Sequence, residues 1–270
     1  EPQRSDHDRS YTTPRGTTCP VCQDERQYLP PDGQSWTTLE RLKISHVNAF
    51  RQYEPGLIGI GTQPKFAIGQ RALLLCTPEG NILWDCISLV DDATVTLINA
   101  LGGLRAIAIS HPHFYTTLVD WSRAFGNVPV HLHAADASWV HQTDKCIRFW
   151  EGDRFDLAKG ITLVRAGGHF PGGSMLHWAA GAEGKGVVCS ADMAIANVDR
   201  KSFSFMRSIP NFIPLSTATV RSIGVALEPF AFDRVYSHHW ERVIQSDAKK
   251  ILRASVERFI AAIDGVHDGA

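Results

Sequence analysis

Ser110-His111-Pro112-His113-Phe114-Tyr115-Thr116 follows the apolar run Leu104-Arg105-Ala106-Ile107-Ala108-Ile109. The run reads as a buried strand. Two imidazoles one residue apart, just past a strand end, are freed from strict strand alternation and can converge on one ion. Histidine is the commonest metal ligand and suits zinc. One His-x-His is a weak signal alone. Three later features share its placement, each just after an apolar run: Gly167-Gly168-His169-Phe170-Pro171-Gly172-Gly173, Ser190-Ala191-Asp192 and Ser237-His238-His239.

Outward from that stretch, the chain reads as a block of strands, then alternating helices and strands, then more strands, then helix-strand-helix. A helix is expected over 37–50, with short strands over 57–60 and 65–68. Two more, 72–76 and 82–86, are joined by the turn Pro78-Glu79-Gly80-Asn81. Asp91 is placed to cap a helix that Gly102-Gly103 ends. Helices follow over 115–125 and 134–141, with a strand at 128–132 between them. One or two strands are read in 155–164, then 174–180 and 186–190. Residues 193–213 have weak periodicity and read as a long loop near the site. A helix over 215–227, a strand over 232–236 and a final amphipathic helix over 247–263 complete the chain. This order fits an α/β (α+β) fold, a four-layer αβ/βα sandwich of two mixed β-sheets with helices outside. Residues 1–55 are read as an N-terminal arm with a Cys-x-x-Cys segment, and 56–270 as the main domain.

Composition bounds the function. Of 270 residues, 44% are hydrophobic and 20% charged, and the formal net charge is -1. No basic run points to nucleic acid and no apolar stretch has the length of a membrane span. Glu1 to Arg9 is polar without a signal-peptide core. Six cysteines in this length do not make a disulfide scaffold, so a reduced, cytoplasmic setting is expected. Cys76, Cys86 and Cys189 lie within apolar runs and read as buried thiols, with Cys76 and Cys86 able to face each other across the turn. Cys19-Pro20-Val21-Cys22 resembles half of a structural zinc site, with plain thiols or a redox pair as the other open readings. His131 and His133 repeat the His-x-His spacing on a strand, with no further ligand motif nearby.

His111-Pro112-His113, Gly168-His169-Phe170-Pro171-Gly172, Asp192 and His238 resemble the successive motifs of the metallo-β-lactamase superfamily over about residues 56 to 265. The resemblance implies that His111, His113 and His169 hold a metal and that Asp192 ligates it or bridges to a second. His238 takes the last-motif position, with His239 the weaker claimant. The family's first motif is His-x-His-x-Asp-His, and this chain has Tyr115-Thr116 where that Asp and His bind a second metal. One ion is therefore expected. The chain is also similar to a less characterised subgroup with a His-Pro-His-aromatic-Tyr motif. That subgroup carries an N-terminal Cys-x-x-Cys followed by Asp-Glu-Arg-Gln-Tyr, here Asp24-Glu25-Arg26-Gln27-Tyr28.

Three imidazoles and one carboxylate around zinc leave room for a water whose pKa falls toward about 7. The expected function is a metal-dependent hydrolase acting on a small ester, lactone, thioester or amide. Asp192 would hold the water or complete the shell, His238 would shuttle a proton, and the Tyr115 phenol would donate to a developing oxyanion. For Tyr115 the alternative is a ring that plugs the second site. Mononuclear iron fits the same ligands. The competing readings are a mononuclear iron oxidoreductase and a binding or regulatory protein that has lost hydrolysis. The expected partner is a small-molecule substrate, with neither nucleic acid nor membrane.

Overall fold

The computed structural model describes residues 20–33 and 35–269. Helices α1 (Pro20–Gln23) and α2 (Leu39–Ser45) precede strands β1 (Val47–Glu54), β2 (Leu57–Gln63), β3 (Ala72–Leu75) and β4 (Ile82–Trp84). Then come α3 (Asp92–Ala100), β5 (Ala106–Ala108), α4 (Leu118–Ala124), β6 (Val130–His133) and β7 (Ile147–Trp150). The second half opens with β8 (Arg154–Ala158), β9 (Ile161–Arg165), β10 (Ser174–Trp178) and β11 (Val187–Ala191). Two short ribbons follow, β12 (Ile195–Ala196) with β13 (Phe203–Ser204), and β14 (Met206–Ser208) with β15 (Ile213–Pro214). Helix α5 (Thr217–Leu227), β16 (Arg234–Ser237), β17 (Val243–Ile244) and α6 (Ala248–Ile263) end the chain.

Strands β1 to β7 form one sheet in sequence order, and the other runs β17-β16-β11-β10-β9-β8. Both are mixed. In the first, β4 to β7 pair in parallel while β1 to β4 are antiparallel. In the second, only β11 and β16 are parallel. Side-chain alternation sorts the apolar residues into three layers of core. Leu73, Leu75, Leu163, Leu176, Cys189 and Tyr236 pack between the sheets. Their neighbours Leu74, Leu83 and Ile107 face Ile98 of α3 and Trp121 of α4. Val164, Met175, Val188 and Val235 face Val220 of α5 and Leu252 of α6. This is the expected four-layer sandwich.

Several local expectations are corrected. The helix read over 37–50 stops at Ser45, and Val47–Glu54 instead forms a long strand paired with β2. Apolar spacing that suits a helix serves here on a sheet edge. Residues 65–68 are not a strand, since Pro64 follows β2 with no N–H for a ladder. The 134–141 helix is a 3₁₀ helix over Ala134–Trp139. The 115–125 helix shortens to α4, with a 3₁₀ turn at Pro112–Phe114 before it. The 193–213 loop carries the two ribbons. Cys76 and Cys86 are free and do not face each other, because Leu75 pairs with Ile82 and Leu73 with Trp84. Of the two cysteines expected to hold a zinc, Cys19 lies outside the described residues and Cys22 falls on α1.

One buried carboxylate ties the sheets together. Glu54, on β1, accepts from the Tyr236 hydroxyl of β16 at 2.7 Å and from the Ala182 N–H at 2.6 Å, and pairs with Arg234 at 3.0 Å. Glu54→Ala strands all three partners, so it should cost about 3 kcal/mol, read from urea unfolding. Glu54→Gln, which keeps an acceptor, should cost less. A loss below about 1 kcal/mol for Glu54→Ala would show that this tie does not hold the sheets.

Candidate metal centre

Four strand ends meet at one edge of the sandwich. Asp85 follows β4, His111 and His113 follow β5, Asp192 follows β11 and His238 follows β16. His169 sits in the loop between β9 and β10. Gly168 of that loop has φ +85°, and a Cβ there would lie 2.7 Å from Leu215 Cδ1, so only glycine lets the loop turn here. The Ser174 N–H donates to Ser110 O at 2.9 Å and stitches the His169 loop to the His111 loop.

His111, His113, His169 and Asp192 each offer one donor atom, and these atoms lie within 4.8 Å of one another. His111 Nε2 is 3.3 Å and His169 Nε2 3.8 Å from Asp192 Oδ2. His169 Nε2 is 3.4 Å from His113 Nδ1. His111 and His169 are 0% exposed and Asp192 1%, while His113 is partly exposed.

The hydrogen bonds behind the ligands fix their tautomers. Asp85 Oδ1 accepts from the Ser110 N–H and hydroxyl, both at 2.7 Å. The hydroxyl, having donated, accepts from His111 Nδ1 at 2.8 Å, which leaves Nε2 bare. His169 Nδ1 donates to Met206 O at 3.2 Å, so its Nε2 is bare too. The buried His111 Nε2 finds no hydrogen-bond partner. Unprotonated nitrogens turned on one another beside a carboxylate are satisfied by a cation, so the donor set fits a metal ion.

Burial disfavours the charged imidazole and holds His111 and His169 below the ordinary range, His169 at about 4. For His113, burial and the neighbouring imidazoles push further in the same direction. Burial alone would raise Asp192, but His238 and His111 win and hold its carboxyl well below the carboxylate range. Neutral imidazoles and an ionised carboxylate are the protonation states that bind metal.

His238 faces the cluster. Its Nδ1 contacts Asp192 Oδ1 and lies 3.3 Å from Ala191 O. His239 turns away, with Nδ1 3.2 Å from Gly69 O. The loop carrying His238 is gripped by buried Arg71, whose N–H donates to His238 O at 3.0 Å. Its guanidinium donates to Ser237 O at 2.8 Å and Trp240 O at 2.9 Å. Tyr115 packs its ring against the core under α3 and α4. Burial, then Asp136 and Asp85, push its phenol well up, so it stays protonated. His131 lies against Phe155, and His133 bonds Gly152 O at 3.0 Å; neither joins the cluster.

Sequence reasoning missed Asp85, Arg71 and Arg26. Asp85 has a readable signal, a carboxylate at the end of an apolar run, but it falls inside the strand expected over 82–86. Arg26 donates to His169 O at 2.7 Å across 143 positions, which spacing does not reveal.

Seven imidazoles among the described residues are held down by burial: His111, His113, His131, His133, His169, His177 and His239. Between pH about 6.5 and about 4 the unfolded chain binds more protons than the folded one, so stability falls as pH falls. Asp85 and Asp136, raised by burial to about 7 and about 6, act with the opposite sign and are outnumbered. Urea midpoints of chelator-treated protein should therefore drop from about pH 7 to about pH 4.5. A flat profile would show that these imidazoles are not buried neutral.

No protein-family model matches the chain. Among solved structures, the metallo-β-lactamase DIM-1 aligns with 80% of this chain and 98% of its own, at TM-score 0.60 and 13% identity. The metallo-β-lactamase FIM-1 from Pseudomonas aeruginosa, in its mono-zinc form, aligns with 78% of this chain and 95% of its own, at TM-score 0.58 and 13% identity. At such identities the likeness is one of fold. In sequence, the uncharacterized protein YmaE of Bacillus subtilis (strain 168) is 43% identical over 249 residues, 92% of this chain and 90% of that protein. The chain thus has the metallo-β-lactamase fold and belongs to the same family as YmaE.

Proposed function

We propose that the protein is a metal-dependent hydrolase that uses one zinc-like ion to cleave a small ester, lactone, thioester or amide. The observation that carries this is the convergence of His111, His113, His169 and Asp192 on one point, with tautomers set to leave bare nitrogens. When bound, a divalent ion there supplies an acidified water and a Lewis acid for a carbonyl oxygen.

The chain's own residues do the rest. Asp192 divides its work, with Oδ2 toward His111 and His169 and Oδ1 toward His238. With Nδ1 engaged, His238 holds or passes a proton at Nε2 and serves the leaving group. The Tyr115 phenol, kept protonated, donates to negative charge that develops on the substrate oxygen. Partly exposed His113 marks the side from which substrate approaches; His111 and His169 are closed to water.

One ion rather than two follows from Tyr115 and Thr116, which provide neither a carboxylate nor an imidazole. A second site would keep only Asp192 and His238. Iron suits the same donors as zinc, and protein purified without added metal would then be coloured. A formal charge of -1 supports a small-molecule substrate over nucleic acid. No helix of the described residues is long and apolar enough to cross a membrane. We place the protein in the cytoplasm on its scattered cysteines. Full burial of His111 and His169 favours a second reading, a binding or regulatory protein whose ion is structural.

Elemental analysis should find about one zinc per chain, unchanged by Cys19→Ser/Cys22→Ser and lost in His169→Ala. Two falling to one in the cysteine variant would reveal a separate thiolate zinc. His169→Ala should also abolish turnover across a panel of esters, lactones and thioesters while keeping native circular dichroism. Turnover that persists in metal-free protein would sink the mechanism. A bound ion with no turnover on any class would favour the second reading.

Tyr115→Asp/Thr116→His should raise the metal content from about one to about two ions per chain. An unchanged content would mean that side chains fill the second position.

A further inference from the structure

The segment Asp24-Glu25-Arg26 lies far from the cluster in sequence and against it in space. Arg26 is buried, and its guanidinium has three engagements. Nη1 donates to His169 O at 2.7 Å, Nε donates to Asp24 Oδ1 at 2.7 Å, and Nη2 pairs with Asp24 Oδ2. Its Cζ lies 3.6 Å from the centroid of Phe170 and 5.2 Å from that of Trp139. Phe170 in turn touches all three imidazoles, with centroids 5.6 Å from His111, 5.1 Å from His113 and 5.2 Å from His169. Arg26 thus presses on the one ring that packs against every histidine of the cluster.

The same segment closes a loop of contacts around His169. The Ser208 hydroxyl donates to Glu25 O at 2.8 Å, and Arg207 pairs with Glu25 at 2.9 Å. Two residues earlier on this strand, Met206 O accepts from His169 Nδ1 at 3.2 Å. The His169 carbonyl is therefore held by residue 26, its ring by residue 206, and these two holders are tied together through residue 25.

We infer that Arg26 is a positioning residue of the cluster: it fixes the His169 backbone and the Phe170 ring so that the three imidazoles converge. This rests on the cluster being a metal site. A planar fork that both stacks and donates is what guanidinium offers and ammonium does not, so the position calls for arginine rather than for any cation. Groups behind a metal ligand set its orientation, and losing one weakens metal affinity by about 10- to 100-fold.

The test is zinc affinity by competition with a chromophoric chelator, on the full chain, with melting of the metal-free protein alongside. Arg26→Ala should bind zinc about 10- to 100-fold more weakly, and Arg26→Lys should not restore wild-type affinity. Lower melting with unchanged affinity would overturn the inference, because the role would then be only structural. Full rescue by Arg26→Lys would overturn it as well, since charge alone would suffice. If Arg26→Ala does not fold, Asp24→Asn carries the test: it loosens one side of the fork and should weaken zinc by about threefold or more, and no change would overturn the proposal. Failure of the wild type to bind zinc, iron or another divalent ion would instead defeat the metal reading itself.

Discussion

Three neutral imidazoles and an ionised carboxylate, with donor atoms within 4.8 Å of one another and largely closed to water, impose the constraint that the rest of the structure meets. Bare nitrogens cannot satisfy each other, and each unpaired buried polar group costs about 1–3 kcal/mol. The fold must hold them together against that cost. A structural zinc in small peptides contributes about 10–16 kcal/mol on binding, which exceeds the penalty for leaving His111 Nε2 and His113 Nε2 unpaired. The arrangement is therefore unfavourable by itself and favourable around an ion. The supporting bonds from Asp85 through Ser110 and from Met206 are placed to preserve this arrangement.

Parallel pairing brings the donors together. β4 with β5 and β11 with β16 are parallel neighbours, so Asp85 ends beside Ser110, and Asp192 ends beside His238. An antiparallel pair would have sent these ends to opposite edges. Each sheet thus delivers one pair, and the Ser174 to Ser110 hydrogen bond joins the two sheets where the pairs meet. Binding sites at the carboxyl ends of parallel strands are a general consequence of such sheets. Here the parallel portions are β4 to β7 and β11 with β16, and His111, Asp192 and His238 follow β5, β11 and β16.

These strand ends were also what made the site legible. Apolar runs that end in His111, Asp192 and His238 announce both the strand and its exit, so the fold and five residues of the candidate site could be read together. What could not be read depends on distant pairing. Val47–Glu54 has no one-sided apolar alternation and becomes a strand only because β2 is there to pair with it. Arg71 reaches Ser237 O over 166 positions, and Arg26 reaches His169 O over 143. No local period encodes such contacts. Residues 193–213 misled because their order comes from packing: Phe203 and Phe205 sit in the core beside α5 and α6, not on a repeating face of their own.

On the proposed one-ion reading, Tyr115-Thr116 in place of Asp-His would also change what Asp192 does. Where two ions are bound, a bridging carboxylate places one oxygen on each. Here Oδ2 faces the three-imidazole side and Oδ1 faces His238. The partner on the second side is an imidazole, which carries a removable proton where the paired-metal arrangement would carry a fixed double charge. On the hydrolase reading, this replaces a second Lewis acid with a proton-holding pair. On that reading the reaction would depend on the grip of Arg71 on the 237–240 loop, which helps to place His238 against Asp192. A substrate whose leaving group needs only a proton suits such a site better than one whose leaving group needs a second ion to stabilise its charge.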